Sequence, residues 1–229
     1  MPRWVPGLLV ALGVGCTVTA IAIGALVDAA RPVDAGDATL GLLYPLVAAL
    51  VLARRSGARV GWLLMVTVIT GPYLLAAQYV VLTGTTDGLL PSFAGWLSAW
   101  GFVPYYVIVA LVPLYFPDGT LPSPRWRPIA RALGAAVVLG TVAAMFRNGP
   151  LDYAPELTNP WALPGNGLNA VLLVCSFTAF VVGGAVGIAA QLVRMRGASG
   201  WRGPACSGCC SVSRCSSSAR SPRSSSTSR

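Results

Sequence analysis

Six apolar stretches recur along this sequence, and a stretch of that length and composition has few stable folds other than a membrane-spanning helix. A bilayer core takes about 20 helical residues to cross, and the stretches cover residues 5–27, 39–53, 60–82, 93–116, 128–146 and 168–193. Because 55% of the 229 residues are hydrophobic and only 10% are charged, a water-soluble globule could not bury the apolar surface. We therefore predict an all-α fold: a polytopic transmembrane bundle of about six spans over residues 1–197, surrounded by lipid bilayer.

The second stretch is the one whose crossing is least obvious. Residues 39–53 are few for a span, and Pro45 lies near the middle. A crossing would need local thinning of the bilayer, or the flanking Arg54 and Arg55 reaching back to the headgroups. A re-entrant or interfacial segment is the alternative. The placement of charge favours a crossing, because omitting this span would scramble the alternation of basic loops.

Arginines are concentrated in alternate loops of the predicted bundle. Nine of those before residue 198 fall on one side, namely Arg3, Arg54, Arg55, Arg59, Arg125, Arg127, Arg131, Arg194 and Arg196. The other side has two, Arg31 and Arg147, together with Asp28, Asp34, Asp37, Asp87, Asp152 and Glu156. Since positively charged loops stay in the cytoplasm, we predict a multi-pass protein of the plasma membrane with both termini cytoplasmic.

The composition also excludes much catalytic chemistry. The chain has no His and no Lys, so it has no imidazole base or metal ligand, no Schiff-base lysine and no phosphate-loop lysine. No charged side chain lies in the middle of a predicted span, which counts against an ion-coupled transporter. We therefore expect no enzyme activity, no catalytic residue, and no cofactor-binding or metal-binding residue in this chain.

A few polar and aromatic side chains within the spans are candidate ligand contacts. Gln78 either contacts a ligand or, more simply, makes an interhelical hydrogen bond of about 1 kcal/mol. Trp100, Tyr105 and Tyr106 lie in the outer half of the fourth span, where aromatic residues usually form an interfacial belt. The alternative is that these aromatic residues and Gln78 line a pocket for an apolar ligand.

Small residues and prolines predict where helices approach one another or bend. Gly183 and Gly187 form a small-xxx-small pair in the last span, which lets helix backbones come close. The pair would serve either as a homodimer seam or, as we favour, in packing within the same bundle. Pro104 and Pro113 are expected to kink the fourth span.

The most specific local motif follows the fourth span. Phe116, Pro117, Asp118 and Gly119 form a tight-turn sequence in which Pro presets φ, Asp bonds locally and Gly accepts a positive φ. Trp126 then lies between two arginines at the predicted membrane face, where basic side chains meet anionic headgroups. We predict a rigid cytoplasmic hairpin, with Asp118 as a turn residue rather than a catalytic one.

The same motif carries a resemblance. The run from 98 to 131, containing Phe-Pro-Asp-Gly-Thr-Leu-Pro-Ser-Pro-Arg-Trp-Arg-Pro, resembles the membrane-embedded amino-terminal region of actinobacterial sensor histidine kinases. Gly-Trp-Leu-Leu at 61–64, Asn-Pro-Trp-Ala-Leu-Pro-Gly at 159–165 and Leu-Val-Arg-Met-Arg at 192–196 agree with that family in order and spacing. The resemblance covers about residues 50–200.

That resemblance implies the input half of a two-component signalling protein. In the family, further spans, a helix pair with the phosphoaccepting His and an ATP-binding domain would follow. None of these is in this chain, so the kinase function cannot be carried over to any residue here. The alternative is a stand-alone polytopic protein, such as a small permease subunit or an accessory protein of unknown ligand.

Residues 198–229 change composition abruptly, with twelve Ser, five Arg, four Cys and no acid. A disordered tail is expected, and a zinc site or a basic arm for nucleic acid or anionic lipid is disfavoured, so no specific nucleic acid partner is predicted. A frameshift near Gly200 and Trp201 explains more of this unusual composition. In a GC-rich gene, Leu and Val codons that are read one base out of step give Cys and Ser. A Leu/Val-rich transmembrane segment read in the wrong frame would therefore look like this tract.

Overall fold

The apolar stretches are helices in a computed structural model of the protein, which describes residues 4–54, 58–164 and 167–199. Those residues are helical apart from loops and one isolated antiparallel bridge between Pro150 and Thr158. The α-helices are α1 Val5–Leu26, α2 Ala35–Arg54, α3 Arg59–Met65, α4 Thr70–Thr83, α5 Leu89–Trp100, α6 Val103–Ala110, α7 Val112–Tyr115, α8 Arg127–Met145 and α9 Gly167–Ser199, with short 3-10 turns at Val66–Ile69 and Pro124–Trp126.

Six helical segments in the described part of the chain are long and apolar enough to cross a membrane. They are Val5–Leu26, Ala35–Arg54, Arg59–Thr83, Leu89–Tyr115, Pro124–Met145 and Gly167–Arg196. The predicted all-helical class is therefore confirmed for the described residues, and the six candidate spans match the predicted number. The connections place the 116–123 segment, the end of α2 at Arg54 and the start of α3 at Arg59 at one end of the bundle, which we call the hairpin end. Residues 27–34, 84–88 and 146–164 lie at the opposite end.

The second span is longer than its apolar stretch predicts. Helix α2 runs over 20 residues, Ala35–Arg54, because the polar segment before residue 39 is also helical, with Asp37 in the first turn where the helix dipole favours an acid. Pro45 is inside the helix and fully buried. The length of α2 matches a bilayer core without thinning, so α2 is long enough to cross.

Prolines divide the fourth span as expected. The helix stops at Trp100, and α6 restarts with Pro104 in its first turn; it stops again at Ala110, and α7 restarts with Pro113 in its first turn. A proline is tolerated there because the first-turn N–H groups have no intrahelical acceptor. The span therefore consists of three short helices, and its carbonyl groups at each break need partners from elsewhere.

Close backbone contacts hold α1 against its neighbours. Gly13, Thr17 and Ala20 are buried on one face of α1. A Cβ built on Gly71 of α4 would lie 2.1 Å from the carbonyl oxygen of Gly13, and one built on Gly41 of α2 would lie 2.4 Å from Oγ1 of Thr17. Small side chains therefore let three helices pack at backbone contact in this part of the bundle.

The chain divides into two units, residues 1–194 and residues 195–229. Of the second unit, the structure describes the helical backbone of residues 195–199. The predictions for the tail (disorder, the zinc site, the basic arm and the frameshift) concern residues outside the described part of the chain.

Candidate functional site

The connection between α7 and α8 starts with a tight turn. Gly119 has a φ of +72°, and its N–H donates to the carbonyl oxygen of Tyr115 at 2.7 Å. The Phe116–Pro117 peptide is cis, and the Asp118 side chain at the tip is 72% exposed. Trp126 is half-buried and packs on the apolar cluster around Leu114. We call residues 116–126 the hairpin.

Two side chains of α9 hold this hairpin. Gln191 donates through Nε2 to the carbonyl oxygens of Pro113 and, at 3.1 Å, Phe116. Arg194 donates through Nη2 to the carbonyl oxygens of Leu114, at 3.1 Å, and Thr120. These two side chains with their four carbonyl acceptors form what we call the hairpin clamp.

The clamp exists because α7 is so short. The last four carbonyl groups of a helix have no intrahelical partner, and α7 has only four residues. Arg194 is also 3.6 Å from Asp118, and its side chain is only 17% exposed. A guanidinium group there caps the orphan carbonyls and meets the negative end of the helix dipole, which is a stabilising position for a cation.

The predicted glycine pair lets α9 reach the clamp. A Cβ on Gly187 would lie 2.8 Å from Cβ of Pro113, and one on Gly183 would lie 2.8 Å from Cβ of Ala110. Residues 183, 187, 191 and 194 follow helical spacing and share one face of α9. The structure thus places both glycines at a contact inside the bundle, next to the clamp, rather than at an outer surface.

Replacing Gly119 with Val is expected to destabilise the hairpin. A β-branched residue at positive φ costs about 1–2 kcal/mol, and a Cβ there would make only ordinary contacts with Arg59, at 3.7 and 3.9 Å, which do not remove the backbone strain. The thermal unfolding midpoint in detergent should fall. Gly119→Asn is the control and should stay close to the native midpoint, because Asn tolerates the left-handed region. Equal midpoints for Val and Gly would contradict the assignment of this turn.

The opposite end of the bundle holds a second polar cluster, which the sequence analysis did not predict. The carboxylate of Asp37 accepts hydrogen bonds from the hydroxyls of Tyr105 at 2.8 Å and Tyr153 at 2.9 Å. The Tyr153 oxygen accepts the N–H of Asp34 at 3.2 Å. We call these four residues the Asp37 cluster. Burial raises the pKa of the Tyr153 hydroxyl above its usual 10.0, so at neutral pH it is a donor to the carboxylate.

An ion pair lies beside this cluster. Arg147 donates to Asp152 at 3.1 Å through Nη2 and to the carbonyl oxygen of Ala99 at 2.9 Å through Nε. The Tyr73 hydroxyl is 3.5 Å from the same carboxylate. Together with the Asp37 cluster, these contacts tie α2, α4 and the fourth span to the loop after α8. The two polar groups adjoin through the edge-to-face contact of the Tyr73 and Tyr153 rings, whose centroids are 6.3 Å apart.

The four residues predicted to line a ligand pocket have separate contacts in the structure. Gln78 is buried and donates to the Arg31 carbonyl oxygen at 2.6 Å. Trp100 packs on Trp96, with ring centroids 5.4 Å apart. Tyr105 belongs to the Asp37 cluster, and Tyr106 packs between the rings of Phe102 and Phe180, with centroid distances of 5.6 and 5.0 Å respectively. Each of the four therefore has its own partners in the described part of the chain, and the ligand pocket stays a prediction.

Replacing Asp37 with Ala is expected to destabilise this end of the bundle. The change leaves two part-buried tyrosine hydroxyls without their acceptor, which costs about 2 kcal/mol in the free energy of unfolding. Thermal unfolding in detergent measures it. Asp87→Ala is the matched control, because Asp87 is an exposed acid in the loop before α5, at the same end of the bundle, and should change stability little. Equal effects of the two variants would refute the importance of the cluster.

Within the described residues there is no group of three or more Asp, Glu or Cys side chains that could hold a metal ion. Comparison of the chain with protein-family models, with curated proteins and with solved structures finds no match. The features that indicate a function are therefore the hairpin clamp, the Asp37 cluster and the motif resemblance.

Proposed function

We propose that this chain is the sensory input region of a bacterial two-component sensor histidine kinase, located in the plasma membrane with both termini in the cytoplasm. The hairpin clamp is the observation that carries the proposal. The motif that resembles the kinase family, Phe-Pro-Asp-Gly at 116–119, is the segment that α9 holds through Gln191 and Arg194. A motif joined to the last span is well placed to pass a change in helix packing along that span.

In this proposal the chain performs no bond chemistry. A ligand or a change in bilayer stress biases the packing of the bundle, and the bias reaches α9 through the fourth span. The Asp37 cluster ties Tyr105, on α6, to α2 and the loop after α8, while the clamp ties the end of the same span to α9. A signal has to favour one packing arrangement over another by a difference in binding free energy, and these two contacts are the elements that such a difference would act on.

The absence of His from the sequence sets the first test. Membranes containing this chain should incorporate no phosphate from ATP into a histidine. The nucleotide sequence beyond the codon for Gly200 should encode, in an alternative frame, an apolar span and then a His-containing kinase core. A frame that encodes neither would overturn the proposal and leave a stand-alone polytopic protein.

The second test uses the longer protein in which the alternative frame continues the chain into the His-containing kinase core. Its rate of autophosphorylation in membranes should change several-fold in Arg194→Gln, because the clamp is the proposed route of the signal. The matched control is Arg125→Gln, which removes an exposed arginine of the hairpin and leaves the clamp intact. Rates that are the same in the native protein and in both variants, at equal expression, would count against signalling through the clamp.

A further inference from the structure

A basic recess opens at the hairpin end of the bundle. It has a volume of about 440 Å³, and Arg59, Arg127 and Arg131 line it together with Tyr115, Leu121 and Ala130. Arg127 and Arg131 are one helical turn apart at the start of α8, while Arg59 is the first residue of α3. Two elements distant in sequence thus place three guanidinium groups around one space.

The guanidinium groups of these three arginines have no hydrogen-bond or ion-pair partner among the residues that the structure describes. The recess has no acidic lining residue, and the acid of the nearby hairpin, Asp118, is paired with Arg194. Like charges that converge without a counter-charge repel one another. The start of α8 also has no side-chain cap, so the positive end of its dipole is open. The recess is therefore complementary to an anion.

An apolar groove adjoins the recess and shares Arg59 with it. The groove has a volume of about 900 Å³ and a mostly apolar lining that includes Leu50, Val51, Val60 and Phe116; the charged residues Arg54 and Asp118 also line it. Phe116 is 54% exposed, although it lies at the end of an apolar span. A free inorganic anion would use the recess but would gain nothing from this groove. A molecule with an anionic head and a hydrocarbon chain would use both.

We propose that the recess binds the phosphate of an anionic phospholipid, with an acyl chain of the same lipid lying along the apolar groove. Basic pockets between transmembrane helices bind anionic headgroups in this way. The recess lies where the third and fifth candidate spans begin, so it is at the level of the headgroups in a membrane. Bound lipid would bridge α3 and α8 next to the hairpin. The inference does not depend on the proposed signalling function.

Native mass spectrometry and thermal unfolding of the full-length protein test this site. The protein is purified in detergent and titrated with dioleoyl phosphatidylglycerol or, as the zwitterionic counterpart, dioleoyl phosphatidylcholine. We expect phosphatidylglycerol to remain bound at higher collision energy than phosphatidylcholine and to raise the unfolding midpoint more than phosphatidylcholine does. Glycerol phosphate and inorganic phosphate, which have the anion without the chains, should bind at least ten-fold more weakly, since a single chain contributes about 0.8 kcal/mol per buried CH₂.

Variants show whether the recess is responsible. Arg127→Gln and Arg131→Gln should each lower the apparent affinity for phosphatidylglycerol by about ten-fold or more, as expected for a lost charge-assisted hydrogen bond. Arg59→Gln tests the same recess from α3, in case a change in α8 impairs folding. Arg125→Gln is the matched control: it removes one arginine of the same segment that lines neither space. All variants keep the five arginines of residues 198–229, so the attraction of those arginines to anionic lipid cancels in the comparison.

Three outcomes would overturn the inference. The first is equal binding of phosphatidylglycerol and phosphatidylcholine. The second is the same loss of affinity in Arg125→Gln as in the three recess variants, which would indicate general attraction to basic charge. The third is glycerol phosphate binding as tightly as the whole lipid, which would leave a phosphate site without a role for the groove.

Discussion

Gly71→Ala is expected to destabilise the bundle more than any other single methyl addition proposed here. The added Cβ would lie 2.1 Å from the carbonyl oxygen of Gly13, less than the distance that any real contact shows. Because the obstacle is backbone rather than a flexible side chain, α1 and α4 have to move apart. Overpacking costs about 1–3 kcal/mol and occasionally more, and a backbone obstacle places this change at the upper end. It would also loosen the neighbouring contact between Gly13 and Val68.

The measurement is the thermal unfolding midpoint in detergent together with the fraction of monodisperse protein on size exclusion. Gly15→Ala is the matched control, because Gly15 is exposed on α1, the helix that Gly71 contacts, and a Cβ there meets no atom within 4 Å. That variant should equal the native protein or be slightly more stable, since Ala favours a helix over Gly by about 1 kcal/mol. A native-like midpoint for Gly71→Ala would mean that α1 and α4 do not pack at backbone contact.

The elements of this fold could be predicted from the sequence because each depends on local properties. A stretch of apolar residues long enough to cross a bilayer becomes a helix whatever its neighbours are, so the number of spans follows from hydropathy. The breaks before Pro104 and Pro113 follow from the missing N–H of proline. The turn at Gly119 follows from the residues of the turn itself. The true start of α2 at Ala35 was missed because its first turn is polar.

The contacts between helices could not be predicted in the same way. Asp37 meets Tyr105 and Tyr153 across 68 and 116 residues of sequence, and nothing in the local pattern of any of the three indicates the other two. Asp37 was treated as a loop charge and Tyr105 as a pocket residue. One signal was available: Gly13, Thr17 and Ala20 recur at helical spacing on α1, which is the small-residue pattern of a packed face.

Arg194→Gln is the second variant with a large expected effect, because Arg194 joins three partners at once. Sequence alone classed it as one of nine basic residues that mark the cytoplasmic side. In the structure it donates to the carbonyl oxygens of Leu114 and Thr120 and is 3.6 Å from Asp118. A hydrogen bond to a charged group is worth about 1.5–3 kcal/mol, so losing both carbonyl contacts should cost about 3 kcal/mol. Gln is too short and has too few donors to replace them.

Limited trypsin digestion measures the loss of stability of the hairpin itself in Arg194→Gln. Arg125 is exposed in the hairpin, and cleavage after it requires the segment to open. Loss of the clamp lowers the free energy of that opening, so the hairpin should be cut several-fold faster in Arg194→Gln than in the native protein. Mass spectrometry of the fragments distinguishes this cut from cleavage in other loops.

Two controls separate the carbonyl contacts of Arg194 from its ion pair. Arg31 and Glu156 are also 3.6 Å apart, but both side chains are about half exposed, at 47% and 59%, so Arg31→Gln should cost less than about 1 kcal/mol. Asp118→Asn should likewise have a small effect, because its carboxylate is 72% exposed and the two carbonyl contacts remain. If Asp118→Asn were as destabilising as Arg194→Gln, the ion pair would be the source of the stability, and α9 would hold the hairpin by charge rather than by capping the short helix α7.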